Sequence, residues 1–291
     1  MSFFVPERLL EVRKSFGEEG ERWLEGLPEH VAALERAWGL TAGRAFDQDG
    51  CLSWVAPVRL ADGSEAVLKV GIPHDEARYG GEALRLIAGD GAVRLLRASE
   101  DGYSLLLERC VPGTNLSSLG EEEGNAVGAG ILQRIWREPG PDVPFERIAE
   151  AADCWCREFR EEAPAAGYDA VLIERAVVLA CELAESQPRQ VLLHGDFHPG
   201  NVLAAGREPW LAIDCEPLVG DPAFDLAEWL GSRVEAAEQA PDPRAAICRQ
   251  IRQMSDLLDL DPARVARWAF VKSVGWDYGP TSARLLHATI E

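Results

Sequence analysis

The texture of the sequence changes near residue 40 and again at Pro112-Gly113, and these changes limit the folds that the chain can adopt. Between them, short apolar runs alternate with turn signals such as Ala61-Asp-Gly63, a pattern typical of antiparallel strands. The pattern predicts strands at residues 44–46, 52–60, 65–70, 92–98 and 104–108. A helix is predicted over about 75–88, after the third strand. The first part is therefore expected to hold an antiparallel sheet with one inserted helix.

Helical periodicity dominates the first forty residues and the chain beyond Pro112-Gly113. Helices are predicted at 6–10, 27–38, 121–137, 144–162, 168–186, 224–238, 243–258 and 262–276. A short strand at 191–193 and a hairpin at 202–204 and 210–213 interrupt them. We therefore expect an α+β fold with an N-terminal lobe over 1–109 and a larger, mostly helical lobe over 110–291, with a hinge near residue 110.

The charge balance narrows the possible partners. With 49 acidic against 29 basic residues the chain carries a net charge of −20, which disfavours nucleic acid and anionic membrane surfaces. No apolar run is long enough to span a bilayer, and the N-terminus lacks the pattern of a signal peptide. The seven cysteines form no CxxC pair. A cytoplasmic location with free thiols is expected, and a cationic small molecule suits the acidic chain.

The loop from His194 to Asn201 contains the residues that are best suited to catalysis. Asp196 is a carboxylate that can accept a proton from a hydroxyl group. Asn201 and Asp214 offer hard oxygen ligands of the kind that Mg²⁺ prefers. The five-residue spacing from Asp196 to Asn201 matches the catalytic loop of protein kinases, where Asp is the base and Asn binds metal.

Lys69 is the second candidate, because only three of the 29 basic residues are lysine: Lys14, Lys69 and Lys272. A lysine kept against such a bias can serve chemistry that arginine cannot perform. Lys69 lies in the third predicted strand, within Ala66-Val-Leu-Lys-Val70, which is similar to the kinase strand whose lysine contacts phosphates. Glu82 is its expected partner, with Glu76 as the alternative.

Together these segments resemble the aminoglycoside/hydroxyurea phosphotransferase family of small-molecule kinases. The resemblance is carried by three runs of sequence: Leu193-His-Gly-Asp-Phe-His-Pro-Gly-Asn-Val-Leu203, Ile213-Asp-Cys-Glu-Pro-Leu-Val-Gly-Asp-Pro-Ala-Phe-Asp-Leu-Ala227 and Leu107-Glu-Arg-Cys-Val-Pro-Gly113. It implies a bilobal protein-kinase-like fold and transfer of the ATP γ-phosphoryl group to a hydroxyl of an aminoglycoside such as streptomycin.

The same resemblance implies a role for each matching residue. Asp196 would be the catalytic base, and Asn201 and Asp214 would bind Mg²⁺. Lys69, oriented by Glu82, would contact the ATP phosphates. The hinge residues Glu108 and Cys110 would hold the adenine edge.

The sequence departs from the pattern of protein kinases at two places. No G-x-G-x-x-G motif exists, and the segment in the phosphate-covering position, residues 47–53, has one glycine and two acids. Cys215 and Glu216 follow Asp214 where protein kinases have Phe-Gly, so Asp214 is assigned from its position and order.

The sequence contains no motif for the site that binds the acceptor, so single residues are the candidates. Candidates for it are Glu216, Asp225, Trp276 and Asp277. Asp221 is expected to cap the helix after it, and Asp225 fits a cap or a substrate contact equally well.

Three other functions remain open from the sequence. His194, Asp196 and His198 could form a zinc hydrolase site, although Pro199-Gly200 would break the helix that such motifs often use. A nucleotide-binding pseudokinase and a kinase of another small alcohol are the remaining alternatives.

Overall fold

The computed structural model describes residues 3–47, 52–74, 76–276 and 278–290. The chain forms two compact units. The first contains residues 1–113 and 205–209, and the second contains 114–204 and 210–291. The first boundary thus falls after Gly113, whereas the sequence placed it after Arg109, and a short segment near residue 207 joins the first unit.

The first unit is built on a five-stranded antiparallel sheet in the order β1-β2-β3-β5-β4. The strands are β1 (Leu40–Ala42), β2 (Ser53–Leu60), β3 (Glu65–Gly71), β4 (Leu95–Ala98) and β5 (Ser104–Glu108). The predicted strand at 44–46 is wrong. Gly39 adopts φ 65° at the end of the preceding helix, and the chain enters the sheet directly, pairing Leu40 with Leu60.

One face of this sheet is covered by the helix α1 (Val12–Trp38), which is kinked at Gly17 and includes Pro28 in its interior rather than at its start. Alternate residues of β3, Leu68 and Val70, are buried in one cluster with Leu27 and Val31 of α1. Because successive side chains of a strand point to opposite faces, Lys69 lies on the face of the sheet away from α1. A short helix α2 (Gly80–Ile87) follows β3, where a helix was predicted.

The second unit is mainly helical. Its helices are α3 (Glu121–Ile135), α4 (Ile148–Glu162), α5 (Ala170–Glu185), α6 (Pro222–Glu238), α7 (Pro243–Leu258), α8 (Pro262–Gly275) and α9 (Pro280–Ile290). Two small sheets pair β6 (Val191–Leu193) with β9 (Leu218–Gly220) and β7 (Val202–Ala204) with β8 (Trp210–Ala212). The sequence predicted neither β9 nor α9.

Asp-Pro pairs set the starts of three of these helices. Asp221, Asp242 and Asp261 each accept a hydrogen bond from a backbone N–H of the first turn. The following proline occupies the first helical position, where its missing N–H costs nothing. The cap predicted at Asp221 is confirmed. Over the described residues, none of the helices is both long and apolar enough to cross a membrane.

A bidentate ion pair holds residues 205–209 in the first unit. Arg207 donates from Nε to Oε1 of Glu108 at 2.8 Å and from a terminal nitrogen to Oε2 at 3.0 Å. It also donates to the carbonyl oxygens of Gly89 and Ala92. Burial opposes ionisation of Glu108, but the hydrogen bonds from Arg207 and Arg94 outweigh it and lower its pKa.

We predict that Arg207→Met lowers the free energy of unfolding by about 2 kcal/mol, because it leaves the Glu108 carboxylate without its charged partner. The folded-state pKa of Glu108 is lowered, so the pair stabilises the protein above the ordinary Glu pKa of 4.5, and that stabilisation is lost as the pH falls below it. Urea unfolding at pH 7 and pH 4 measures both effects. Arg59→Met, which breaks the exposed Arg59–Glu65 pair, is the control and should change stability little. Equal losses in the two variants at pH 7 would contradict this prediction.

Candidate active site

The loop with the candidate base lies between β6 and β7. Residues Pro199–Asn201 form one turn of 3₁₀ helix. The Asn201 carbonyl oxygen then accepts the N–H of Ile213 at 2.9 Å, which ties the loop to the segment before Asp214. His194 adds a second tie, because its ring Nε2 lies 2.9 Å from the Ile213 carbonyl oxygen. The sequence-predicted residues Asp196, Asn201 and Asp214 thus belong to two segments that are bonded to each other.

Gly195 is required where the loop crosses the segment after Asp214. Its φ is +87°, and a Cβ atom there would come within 1.8 Å of the Glu216 carbonyl oxygen. Beside it, the N–H of Glu216 donates to the His194 carbonyl oxygen at 2.8 Å. A side chain at position 195 would therefore separate the two segments.

The carboxylate of Asp225, on the first turn of α6, supports the loop by accepting hydrogen bonds from its backbone. Its Oδ2 accepts the N–H of His194 at 2.8 Å and its Oδ1 accepts the N–H of Gly195 at 2.9 Å. The indole N–H of Trp136 donates to Oδ2 at 2.9 Å. Asp225 has 0% exposure. A contact between Asp225 and substrate is therefore excluded, and the sequence could not show this because the three donors come from distant segments.

Asp196 is held in a fixed orientation by Asn201. The Asn201 amide nitrogen donates to the Asp196 carbonyl oxygen at 2.9 Å and to its Oδ2 at 2.8 Å. The His198 ring lies 3.7 Å from the same Oδ2. Burial opposes ionisation of Asp196, yet the neighbouring His198, His194 and Lys272 lower its pKa to about 2. Asp196 is therefore a carboxylate at neutral pH and can accept a hydrogen bond from a hydroxyl group.

Asn201 and Asp214 form a donor set that suits Mg²⁺. Both amide hydrogens of Asn201 face Asp196, so its carbonyl oxygen Oδ1 remains for another ligand. Asp214 has φ +59°, an uncommon conformation for a residue with a side chain, of the kind found at functional sites. Two oxygen ligands are enough for Mg²⁺, which takes the rest of its shell from water and phosphates.

The two histidines serve the loop itself. His194 is completely buried, and burial lowers its pKa against the attraction of Asp225 and Asp196. The Nδ1 atom of His198 accepts the N–H of Gly200 at 3.0 Å. Among the described residues there is no group of three or more His, Cys, Asp or Glu side chains that could hold a metal ion. The His194 ring is bonded to the Ile213 carbonyl oxygen and the His198 ring to the Gly200 N–H, so the geometry does not favour a zinc hydrolase.

The candidate nucleotide residues lie in the first unit. Lys69 occupies the central strand β3, opposite Val55 of β2 and Leu105 of β5. Its expected partner Glu82 instead forms an ion pair with Arg85, one turn later on the exposed side of α2. The pairing of Glu82 with Lys69 is therefore wrong. The side chain of the alternative partner, Glu76, lies outside the described part of the structure.

The hinge candidates follow β5. The Glu108 side chain is occupied by Arg207, and its N–H donates to the Arg94 carbonyl oxygen at 2.9 Å. Only backbone groups of this segment are therefore suited to an adenine edge. Cys110 is half-buried, and burial raises the pKa of its thiol to about 11. Residues 48–51 of the candidate phosphate-covering segment lie outside the described residues.

The remaining acceptor candidates have different surroundings. Glu216 is half-buried and lies two residues after Asp214. Trp276 ends α8, is 38% exposed and packs against Trp155 and Phe224. Asp277 lies outside the described residues. Lys272, Glu228 and Tyr278 form a hydrogen-bonded group beside the loop, and Glu228 is the member that the sequence did not single out.

The sequence model described as "Aminoglycoside/hydroxyurea antibiotic resistance kinase" matches residues 38–276. The chain belongs to this family. Membership means that the chain is a phosphotransferase acting on a hydroxyl group, as the order of Lys69, Asp196, Asn201 and Asp214 had suggested.

Relatives of this kinase with known activities cover most of its length. The streptomycin 6-kinase of Streptomyces glaucescens is 36% identical over 98% of this chain and 94% of the relative, and that of Streptomyces griseus is 37% identical over 92% and 88%. The hydroxyurea phosphotransferase of Kitasatospora aureofaciens is 41% identical over 80% of this chain and 70% of the relative.

Solved structures confirm the predicted fold class of the kinase. The choline kinase LicA from Streptococcus pneumoniae superposes with a TM-score of 0.63 at 15% identity, covering 92% of this chain and 98% of that one. A thermostable aminoglycoside phosphotransferase APH(4)-Ia superposes with a TM-score of 0.55 at 17% identity, covering 89% and 97%. The chain therefore has the protein-kinase-like fold of aminoglycoside and choline kinases.

We predict that Asp225→Asn destabilises the kinase by about 3 kcal/mol, because an amide cannot accept hydrogen bonds at both of its heteroatoms and leaves buried donors unpaired. Activity should fall with the loss of loop geometry. Chemical unfolding measures the stability. Asp261→Asn is the matched control, since Asn caps the exposed start of α8 as well as Asp does. Unfolding of Asp225→Asn at the wild-type denaturant concentration would show that the brace is not needed.

Proposed function

We propose that this kinase transfers the γ-phosphoryl group of ATP to a hydroxyl of streptomycin. The observation that carries the proposal is the near-full-length similarity to two streptomycin 6-kinases, combined with the ionised and oriented Asp196. Hydroxyurea is the second candidate acceptor, because the hydroxyurea phosphotransferase has the higher identity over a shorter part of the chain.

Asp196 orients the acceptor hydroxyl and takes its proton during transfer. Its carboxylate is ionised, and Asn201 fixes Oδ2, so the hydroxyl meets a defined acceptor atom. A pKa near 2 makes Asp196 a weak base, which suits phosphoryl transfer, because positioning and charge stabilisation supply most of the catalysis.

Asn201 Oδ1 and the Asp214 carboxylate would hold Mg²⁺. The ion, when bound, neutralises charge on the phosphates. The two ligands are well placed for this role because the hydrogen bond between Ile213 and Asn201 ties their segments together.

Nucleotide binding involves the first unit. Lys69 supplies a positive charge to the phosphates, as the lysine of the third strand does in kinases. ADP is bound in the related APH(4)-Ia structure and AMP in a LicA structure, which supports an adenine nucleotide as the donor. Glu108 would contribute its carbonyl oxygen and Cys110 its backbone to the adenine edge.

We expect Mg²⁺-ATP and streptomycin to give acceptor-dependent ADP release that Asp196→Asn reduces by at least about 10³-fold, with nucleotide binding retained, because the variant loses the base but keeps the side-chain shape. A coupled ADP assay measures turnover, and calorimetry measures nucleotide affinity. Hydroxyurea and other aminoglycosides complete the acceptor panel. ADP release with hydroxyurea alone would select the second candidate, and release with none of these acceptors would refute both.

Lys69→Met should weaken Mg²⁺-ATP affinity or turnover by about 10- to 100-fold, since it removes the charge that contacts the phosphates while keeping the length of the side chain. Titration with ATP compares it with wild type. Glu82→Gln is the matched control on the following helix and should leave ATP affinity unchanged, because Glu82 pairs with Arg85. Unchanged kinetics in Lys69→Met would refute the strand-three assignment.

A further inference from the structure

A buried ion pair lies directly beside the catalytic loop. The ammonium of Lys272, on α8, donates to Oε2 of Glu228, on α6, at 2.6 Å, and lies 3.5 Å from the carbonyl oxygen of Gly195. Lys272 is 1% exposed. The Phe224 and Trp276 rings flank the ammonium at 4.0 and 5.1 Å. Lys272 thus connects Glu228 to the residue that precedes Asp196.

A second donor fixes the same oxygen of Glu228. The hydroxyl of Tyr278 donates to Oε2 at 2.8 Å. Its ring packs on Gly231, where a Cβ atom would come within 2.2 Å of it. Burial and the charge of Glu228 raise the pKa of Tyr278 well above 10, so its hydroxyl stays protonated and keeps donating. Lys272 and Tyr278 therefore hold Glu228 as an immobile carboxylate.

The other oxygen of Glu228 remains available. Neither of the two donors is bonded to Oε1, and among the described residues no other side chain or backbone group donates a hydrogen bond to it. The Glu228 side chain keeps 15% exposure, and among the described residues Oε1 is not one of the unpaired polar atoms that are fully buried, so this oxygen is open to a small molecule. A fixed, charged and accessible carboxylate oxygen favours a cationic hydrogen-bond donor.

Glu228 lies close enough to the proposed base Asp196 for the two charges to act on the same groups. The charges of Asp196 and Glu228 both raise the pKa of His198, and both raise that of Tyr278. Lys272 provides the structural link through Gly195. An acceptor whose hydroxyl meets Asp196 would therefore have its neighbouring groups within reach of Glu228.

We propose that Glu228 binds a guanidinium group of the acceptor through its open carboxylate oxygen, and that Lys272 and Tyr278 are the residues that position it. The inference rests on the proposed function and deepens it by assigning a residue to acceptor choice. A guanidinium matches a carboxylate in geometry and charge. Streptomycin carries guanidinium groups, whereas hydroxyurea is neutral, so Glu228 would favour the cationic acceptor over the neutral one.

The test compares Glu228→Gln with Glu235→Gln, which removes the same charge from an exposed position two turns later on α6. Glu228→Gln should raise the KM for streptomycin and its Kd without nucleotide by about tenfold or more, because a charge-assisted hydrogen bond is lost. The KM for ATP should not change, and any turnover of hydroxyurea should be unaffected. Glu235→Gln should behave as wild type in every assay.

A double variant separates recognition from folding. Glu228→Gln leaves the Lys272 charge without its partner and can lower the melting temperature. Glu228→Gln combined with Lys272→Met removes both charges, and it should regain stability while its KM for streptomycin stays high. Tyr278→Phe removes one of the two donors and should raise that KM by a smaller factor.

The outcomes distinguish this inference from the proposed function. If wild type phosphorylates streptomycin and Glu228→Gln keeps the wild-type KM, the role of Glu228 is overturned and the proposed function stands. The same holds if the double variant regains the wild-type KM together with its stability. If wild type neither binds nor phosphorylates streptomycin, the proposed function and the role of Glu228 fall together.

Discussion

The geometry of the loop that carries Asp196 depends on one buried carboxylate. Asp225 accepts the backbone N–H groups of His194 and Gly195 with separate oxygens, which fixes two consecutive peptide units before Asp196. Burying this charge would be costly without the three donors that surround it. Asp225 is in turn immobile because α6 is capped by Asp221, whose carboxylate also binds Arg264 and the Trp268 indole of α8. These hydrogen bonds thus fix the position of the loop relative to helices α6 and α8.

The same helix supplies the rest of the support around Asp196. Asp225, Glu228 and Trp229 are spaced three and four residues apart, so they share one face of α6. Trp229 stacks on Phe197 of the loop and donates its indole N–H to Asn125. The single helix α6 therefore supports the backbone of the loop, packs against it and presents a carboxylate beside it, which keeps the proposed base Asp196 and the proposed recognition residue Glu228 in a constant relation.

The candidate nucleotide-binding residues are positioned by different interactions. Lys69 is presented by simple strand alternation, since Leu68 and Val70 are buried against α1 and Lys69 must face the other side. At the end of β5, the ion pair of Glu108 with Arg207 commits that side chain to structure. The sequence predicted Glu108 at the adenine edge, whereas its side-chain charge holds residues 205–209 in the first unit.

Local rules were enough to determine the class of this protein. Strand alternation and turn signals predicted four of the five strands of the larger sheet, and the spacing of Asp196, Asn201 and Asp214 predicted kinase chemistry. The strand Leu218–Gly220 was missed because it is defined by its pairing with the distant strand Val191–Leu193, which local pattern does not show. Glu82 pairs with Arg85 rather than with Lys69, and Asp225 binds the loop backbone rather than a substrate. The sequence could not show either result, because competing partners are known only once the chain has folded. The pair of Glu228 and Lys272 joins residues 44 positions apart, and only the packing of α6 against α8 brings them together. Sequence thus determined which chemical groups exist, and tertiary structure decided which of them meet, since contact between distant segments depends on packing rather than on local pattern.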